Sequence, residues 1–499
     1  MTGKRAELPD WILGWRAHSS NEVTTGRGYE GHPTDKPLGT KAVSDISASV
    51  QVGTPTNPEH GLQHQLSAGQ MTMVAVGGSI GTGLLLGSAA AIEIAGPAVI
   101  LSFLLAAFIN WTVTMALGEL ASTHPAAGSF GVYGDLYLNE WAGFISRAGY
   151  WAAIAVSVGA ELVASATYMG YWFPMVPALI WVVLFSALLL LVNLWDVGHY
   201  GRFEFWFAMI KAVAIAAFVV LGAGLLLAGR VSAQYTAHGG FFPRGALAPL
   251  VAISFAIYTF GGIEFVAVAS GESRSPHEVA RAVKMAFLTL ALIYLGAIVV
   301  LVGIMPWNRA GVTESPFVTV FRLVKIPGAT HLMNFVVLTA ALSGANAALY
   351  VSSRMLFSLA RSGWAPARLG QLNQAGSPNL ALFASSYGII AALVLEKWAP
   401  GVAFEYILRG ALFGMILSWL VSLAAHVSFR RRLSASHLSA LPMRSPLGGA
   451  GSAFGFVVLA AALVKTWWDS RVNLLSGLTL FVALTLAYFL IRQGRKASL

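Results

Sequence analysis

Three ionisable side chains, Glu161, Lys211 and Glu264, stand inside apolar runs long enough to cross a bilayer. A charge at membrane depth is costly, and marks either a pathway for a substrate or ion, or a buried partner. Such groups can bind or release a proton as their surroundings change, so the chemistry open to them is proton coupling rather than bond making. A structural ion pair is the competing account. Two glycine clusters interrupt apolar runs of the same kind: Gly77-Gly78-Ser79-Ile80-Gly81-Thr82-Gly83, and Phe260-Gly261-Gly262-Ile263-Glu264, the second holding Glu264 itself. Glycine costs a helix about 1 kcal/mol against alanine, so such a cluster should unwind it. Unwound backbone is tolerated in the membrane only where protein or a watery cavity covers it. The N–H groups it exposes at a half-helix N-terminus suit a carboxylate, and its carbonyls suit an ammonium. For the first cluster the alternative is close packing of helices through small residues.

The elements that hold these groups follow from composition. Hydrophobic residues make up 57% of the 499 positions, charged residues 10%, and mean hydropathy is +0.70. A soluble chain carries about a quarter charged residues, so most of this surface must face lipid. The net charge of +10 does not point to nucleic acid, because the basic residues are scattered between apolar runs, where they set membrane topology. Spans are expected near 67–95, 97–121, 142–171, 176–195, 204–229, 247–270, 284–305, 331–360, 379–396, 403–429, 450–467 and 473–492. This is an all-α polytopic membrane protein with about twelve transmembrane helices. Pro97, Pro174, Pro177, Pro243, Pro306 and Pro378 fall at or near the breaks between them.

Residues 1–65 read as a disordered cytoplasmic extension without a signal peptide. Positive charge is heavier on the side that holds Arg274, Arg281, Lys284, Arg361, Arg368 and Arg430–Arg432. Both termini are therefore expected in the cytoplasm. The two glycine-broken runs are the first and the sixth, matching places by position in two expected five-helix halves, 66–229 and 247–430. Two further helices and a short tail fill 431–499. Broken segments placed this way are the best sequence pointer to a transporter's binding site.

Other chemistries find no support. There is no cysteine, hence no disulfide or thiolate metal site. His64, His124, His199, His331 and His426 lack metal-ligand spacing, and Gly77–Gly83 lacks the Gly-Lys-Ser/Thr ending of a phosphate loop. No enzyme, cofactor or metal site is expected.

Several motifs occur in one order: Gly77–Gly83 with Leu84–Ser88 and Ala95-Gly96-Pro97, Leu117–Leu120, Ala127–Phe130, Gly201–Phe207, Phe260–Glu264 with Gly271–Ser273, Met305-Pro306-Trp307 and Ser353–Leu356. Over roughly 65–435 the chain resembles bacterial amino acid permeases of the amino acid–polyamine–organocation superfamily. That resemblance implies a five-plus-five inverted repeat with helices 1 and 6 broken. It also implies uptake of L-amino acids coupled to protons across a bacterial inner membrane. The permeases it resembles carry aromatic, basic or small neutral amino acids or γ-aminobutyrate, and the shared motifs do not choose among them.

An amino acid zwitterion needs partners for both ends. Gly81, Thr82 and Gly83 are expected to cradle its carboxylate, and the carbonyls of Ser79, Tyr258 and Gly261 to take its ammonium. The family's pattern gives the same residues, and Glu264, a charge at membrane depth on the second broken run, is placed in the substrate site with them. It implies that the Tyr258 ring closes over substrate, with aromatic packing as the alternative. It also implies that the ammonium of Lys211 stands where sodium binds in sodium-driven relatives, making Lys211, with Glu161, the proton-coupling candidates. Glu93 and Glu119 lie nearer span ends. Arg409 falls one turn after Glu405, a spacing at which the two can pair; contact with substrate or a gate is the rival. The rivals are an exchanger or uniporter on the same fold and, from another class, an amino acid-binding membrane sensor; the sequence does not give the oligomeric state.

Overall fold

The computed structural model describes residues 66–126, 128–194, 197–231, 233–311, 314–373, 376–398, 403–469 and 471–497. Side chains at 194, 197–203, 403–410, 466–469, 471–476 and 496–497 fall outside that description. The expected N-terminal extension at 1–65 lies outside the described residues, as do the side chains of Glu405 and Arg409.

Among the described residues the chain is helical, without a β-strand. In order the helices are α1 (Ala68–Ser79), a π-helical turn (Gly83–Gly87), α2 (Ser88–Ala95), α3 (Val99–Thr123), α4 (Ser129–Tyr137), α5 (Glu140–Gly170), α6 (Ala178–Leu194), α7 (Val197–Leu227), α8 (Ala248–Thr259) and α9 (Phe265–Ala269). They continue with α10 (Pro276–Ile304), α11 (Pro316–Val324), α12 (Ala329–Arg361), α13 (Asn379–Ser385), α14 (Tyr387–Trp398), α15 (Ala403–Arg432), α16 (Ala435–Ser439), α17 (Gly448–Asp469) and α18 (Arg471–Ala497). Nine helical stretches among the described residues are long and apolar enough to cross a membrane, and Ala178–Asn193 and Ala248–Thr259 are shorter apolar helices. One of the nine, Ala68–Thr123, folds back on itself at Gly96-Pro97, so it makes two passes. Gly96 has φ +63°, a left-handed conformation that glycine adopts without steric penalty. Counted that way, the spans match the number read from the sequence. The short helices α4, α11 and α16 lie between the expected spans, and none carries an apolar run long enough to stand out.

Helix starts follow local chemistry. Ser67 and Gln70 form a reciprocal capping box on α1. Asn139 accepts from the Ala142 N–H at the start of α5, and Ser275 precedes Pro276 at the first position of α10. Burial sorts the spans into inner and outer. In the apolar windows of α5 and α12, 83% and 78% of residues are covered by protein, against 11% for α18. The inner helices need partners for their polar groups; the outer ones show leucine, valine and phenylalanine to lipid.

Glu119, on α3, settles into a structural role. It is fully buried, and Arg430 reaches it with Nε at 2.6 Å and Nη2 at 2.5 Å. The Ser445 N–H donates to it at 2.5 Å, and His426 Nε2 lies 3.3 Å away. Arg430, which as part of an arginine run looks like a loop charge, thus belongs to the last turn of α15 and ties it to α3. Arg430→Ala would strand a buried carboxylate and should destabilise the protein by about 3–5 kcal/mol. Thermal melting in detergent checks this, and the Glu119→Gln/Arg430→Gln double variant should melt above the single one. An unchanged melting temperature in the single variant rules the clamp out.

Candidate functional site

The first span is interrupted over only two residues. α1 ends at Ser79, Ile80 leaves helical geometry at φ −78°, ψ 81°, and the helix resumes by the π-helical turn. In an unbroken helix the Gly81 N–H would bond the Gly77 carbonyl, and the Thr82 N–H the Gly78 carbonyl. Here the Gly81 N–H donates to Ser79 O at 2.9 Å instead. The Gly77 carbonyl and the Thr82 N–H are thereby released at the same point.

Each has found a charged partner. The Lys211 ammonium donates to the Gly77 carbonyl and, at 3.0 Å, to Ser343 Oγ. The Thr82 N–H donates to both carboxylate oxygens of Glu161 at 3.2 Å, and its hydroxyl to Oε1 at 3.1 Å. A lysine on α7 and a glutamate on α5 therefore satisfy the two ends of one break, where an unpaired backbone group would cost several kcal/mol in the membrane. Lys211 also acts electrostatically on Glu161 and on Glu204, and Glu204 accepts from Ser343 Oγ at 2.6 Å and Asn346 Nδ2 at 3.3 Å.

Not every glycine of the first cluster serves the break. Gly77 and Gly78 remain helical, and packing explains them. A Cβ on Gly77 would stand 2.5 Å from the Glu204 carboxylate, and one on Gly78 would run into the Phe265 ring. Both readings of this cluster, unwinding and close packing, are therefore correct for different residues. The sixth span breaks as expected, with α8 ending at Thr259 and α9 starting at Phe265. Gly262 carries φ +100°, and its Cβ would meet the Gly78 backbone at 2.7 Å. The two breaks thus touch, and Thr259 Oγ1 bridges them by donating to Gly83 O at 3.2 Å.

Between the breaks and α5, α12 and α15 lies a cavity. Of the residues singled out from the sequence, Ser79, Gly81, Gly83, Glu161, Tyr258 and Gly261 line it. Thr82, Lys211 and Glu264 do not. Glu264 accepts from the Tyr150 hydroxyl at 2.6 Å and the Gly262 N–H at 3.0 Å, so its carboxylate holds the second break together. Two of the expected carbonyls already accept inside the chain: Ser79 from Gly81, and Tyr258 from the Gly261 N–H at 2.8 Å. A carbonyl has a second lone pair, so both keep one acceptor site. Glu93 is exposed, away from this cavity.

The sequence reading missed Glu204, Ser343, Gly344, Asn346 and Tyr150. Glu204 carried a signal, since it precedes Lys211 by two helical turns and shares its face. It sat at the expected end of a span and was not counted as deep. Gly344 had no such signal: its role is to leave room, because a Cβ there would lie 3.0 Å from the Glu161 carboxyl carbon. Among the described residues no group of histidine and acidic side chains could hold a metal ion.

Comparison with known proteins agrees with the architecture. The amino acid permease family model matches residues 70–494. The amino acid permease YtnA of Bacillus subtilis is 35% identical over 440 residues, covering 86% of this chain and 95% of that protein. The γ-aminobutyric acid permease of Bacillus subtilis is 32% identical over 448 residues, covering 88% and 96%. The aromatic amino acid transport protein AroP of Escherichia coli K12 is 34% identical over 381 residues, covering 75% and 83%. With two broken helices meeting at a cavity inside a multi-pass helical bundle, and with this match along most of its length, the chain belongs to the amino acid permease family of membrane transport proteins.

Proposed function

We propose that this permease imports amino acids by proton symport, with alternating access around the two broken helices. The observation that carries the reading is the pair of opposite charges on the single break of the first span: Lys211 on the Gly77 carbonyl and Glu161 on the Thr82 amide. A proton gained or lost at either group changes how the break is held, and the break forms one wall of the cavity. A moving proton and a moving binding-site wall are then the same event, which is what coupling requires.

In this reading Gly81, Thr82 and Gly83 frame the substrate carboxylate, with the Thr82 N–H and hydroxyl as its donors, and the second lone pairs of the Ser79 and Tyr258 carbonyls and the Gly261 carbonyl take its ammonium. Tyr258 lies against Gly83 and shares the cavity wall, which fits a ring that closes over substrate. Glu264 acts one step back, by holding the second break in shape. The core divides into repeats at 66–229 and 247–430, because the breaks occupy corresponding spans and pack on one another. Both termini are cytoplasmic on the loop charges. The names of the relatives make aromatic amino acids, threonine and γ-aminobutyrate the first substrates to try.

Uptake of labelled L-phenylalanine, L-threonine and γ-aminobutyrate into proteoliposomes tests this. An inward proton gradient should drive at least one of them above its external concentration, with alkalinisation of the outer medium. Equilibration without accumulation, insensitive to the gradient, would make the protein a uniporter or exchanger.

A further inference from the structure

Glu161 occupies the place that the proposed function gives to substrate. Its two oxygens accept three hydrogen bonds from Thr82, two from the amide and one from the hydroxyl. The carboxylate is fitted between two bare backbones. A Cβ on Gly81 would stand 2.5 Å from Oε1, and one on Gly344 would stand 3.0 Å from the carboxyl carbon. Glycine on both sides makes a slot of carboxylate thickness, and Glu161 also lines the cavity from which an amino acid would approach. A substrate carboxylate and the Glu161 carboxylate cannot share these donors.

We infer that Glu161 is an internal stand-in for the substrate carboxylate, and that substrate enters its cradle only as Glu161 leaves it carrying a proton. The inference rests on the proposed carboxylate cradle and adds the residue that guards it. Charge accounting supplies the proton. Among the described residues around the two breaks there are three buried carboxylates, Glu161, Glu204 and Glu264, and one buried ammonium, Lys211. A zwitterion brings no net charge. A displaced Glu161 that stayed ionised would be a buried anion stripped of its Thr82 donors, beside a substrate carboxylate that now holds them. One proton, taken from water on the side of entry, neutralises it; when substrate departs inward, Glu161 gives up that proton and returns to Thr82. The stoichiometry is one proton per amino acid.

The slot has a chemical test that needs no knowledge of the substrate. In Glu161→Ala the Thr82 donors and the space between Gly81 and Gly344 remain, so acetate should fill them. Acetate should raise the melting temperature of Glu161→Ala by several degrees over equal chloride, and leave wild type unchanged, since a ligand of the folded state stabilises it in proportion to its binding. Equal response in variant and wild type overturns the inference. If the alanine variant does not fold, Glu161→Gln, which keeps the volume, carries the second arm. Titration calorimetry with L-phenylalanine, L-threonine and γ-aminobutyrate, in two buffers of different ionisation heat, counts protons. Wild type should take up about one proton and bind up to about tenfold more tightly per unit fall in pH, whereas Glu161→Gln should take up none and bind independently of pH. Undiminished proton uptake in Glu161→Gln overturns the inference. Gly83→Val separates the two levels: if it binds as wild type does, the cradle itself is wrong; if it abolishes binding while the Glu161 variants behave as wild type, only the role of Glu161 falls.

Discussion

Lys211→Ala should bind substrate and yet fail to accumulate it, a complete loss of proton-driven concentration. The ammonium is fully buried and serves the Gly77 carbonyl and Ser343, which passes the contact to Glu204. Removing it leaves two nearby carboxylates without their compensating charge. Buried carboxylates in that position are too costly to leave ionised, so they should hold protons through the whole cycle. A site that never releases its proton cannot couple. The expected result is downhill exchange of the amino acid that persists while accumulation against a gradient disappears, with no pH dependence of the rate. Because one partner of a buried pair is lost, the variant should also be less stable, by about 3–5 kcal/mol. Lys211→Met, which keeps the length and apolar stem, controls for the cavity. Accumulation by either variant at the wild-type level would move coupling off Lys211 altogether.

Gly83→Val should abolish substrate binding while the protein still inserts and purifies as a folded species. Gly83 begins the π-helical turn, lines the cavity and accepts the bridging bond from Thr259. A Cβ placed there comes within 3.2 Å of Thr259 Cα and 3.3 Å of the Tyr258 ring, and valine adds two methyl groups beyond it. Either the sixth span shifts or the side chain projects into the cavity. Overpacking of this kind costs about 1–3 kcal/mol of stability, and a side chain that projects into the cavity blocks the substrate directly. Gly83→Ala should fall between, because a single methyl asks its neighbours to give by only a few tenths of an ångström. Thermal-shift titration with the same three amino acids checks the order, and tight binding by the valine variant refutes the assignment of Gly83 to the site.

The sequence by itself determined the class, the spans and the two breaks in them. A chain with 10% charge and long apolar runs has few folds open to it, since lipid leaves no water to bond an exposed backbone. The breaks at Gly81 and at Gly261-Gly262 were legible for the same reason, because clustered glycine is rare in a helix that must satisfy itself. The buried charges Glu161, Lys211 and Glu264 were legible because a membrane makes any charge conspicuous.

Only the tertiary structure decided what those charges do. Periodicity cannot say which freed backbone group a distant side chain will reach. Lys211 meets Gly77 across 134 positions of chain, and Glu161 meets Thr82 across 79. It took the packed structure to turn Glu264 toward Tyr150 rather than the cavity, and to give Gly77 and Gly78 to helix packing. Glu204 and Gly344 gained their meaning in the same way, one as a counter-charge and one as a space. These are contacts between helices remote in sequence, fixed by how the bundle closes, and local propensity carries no record of them.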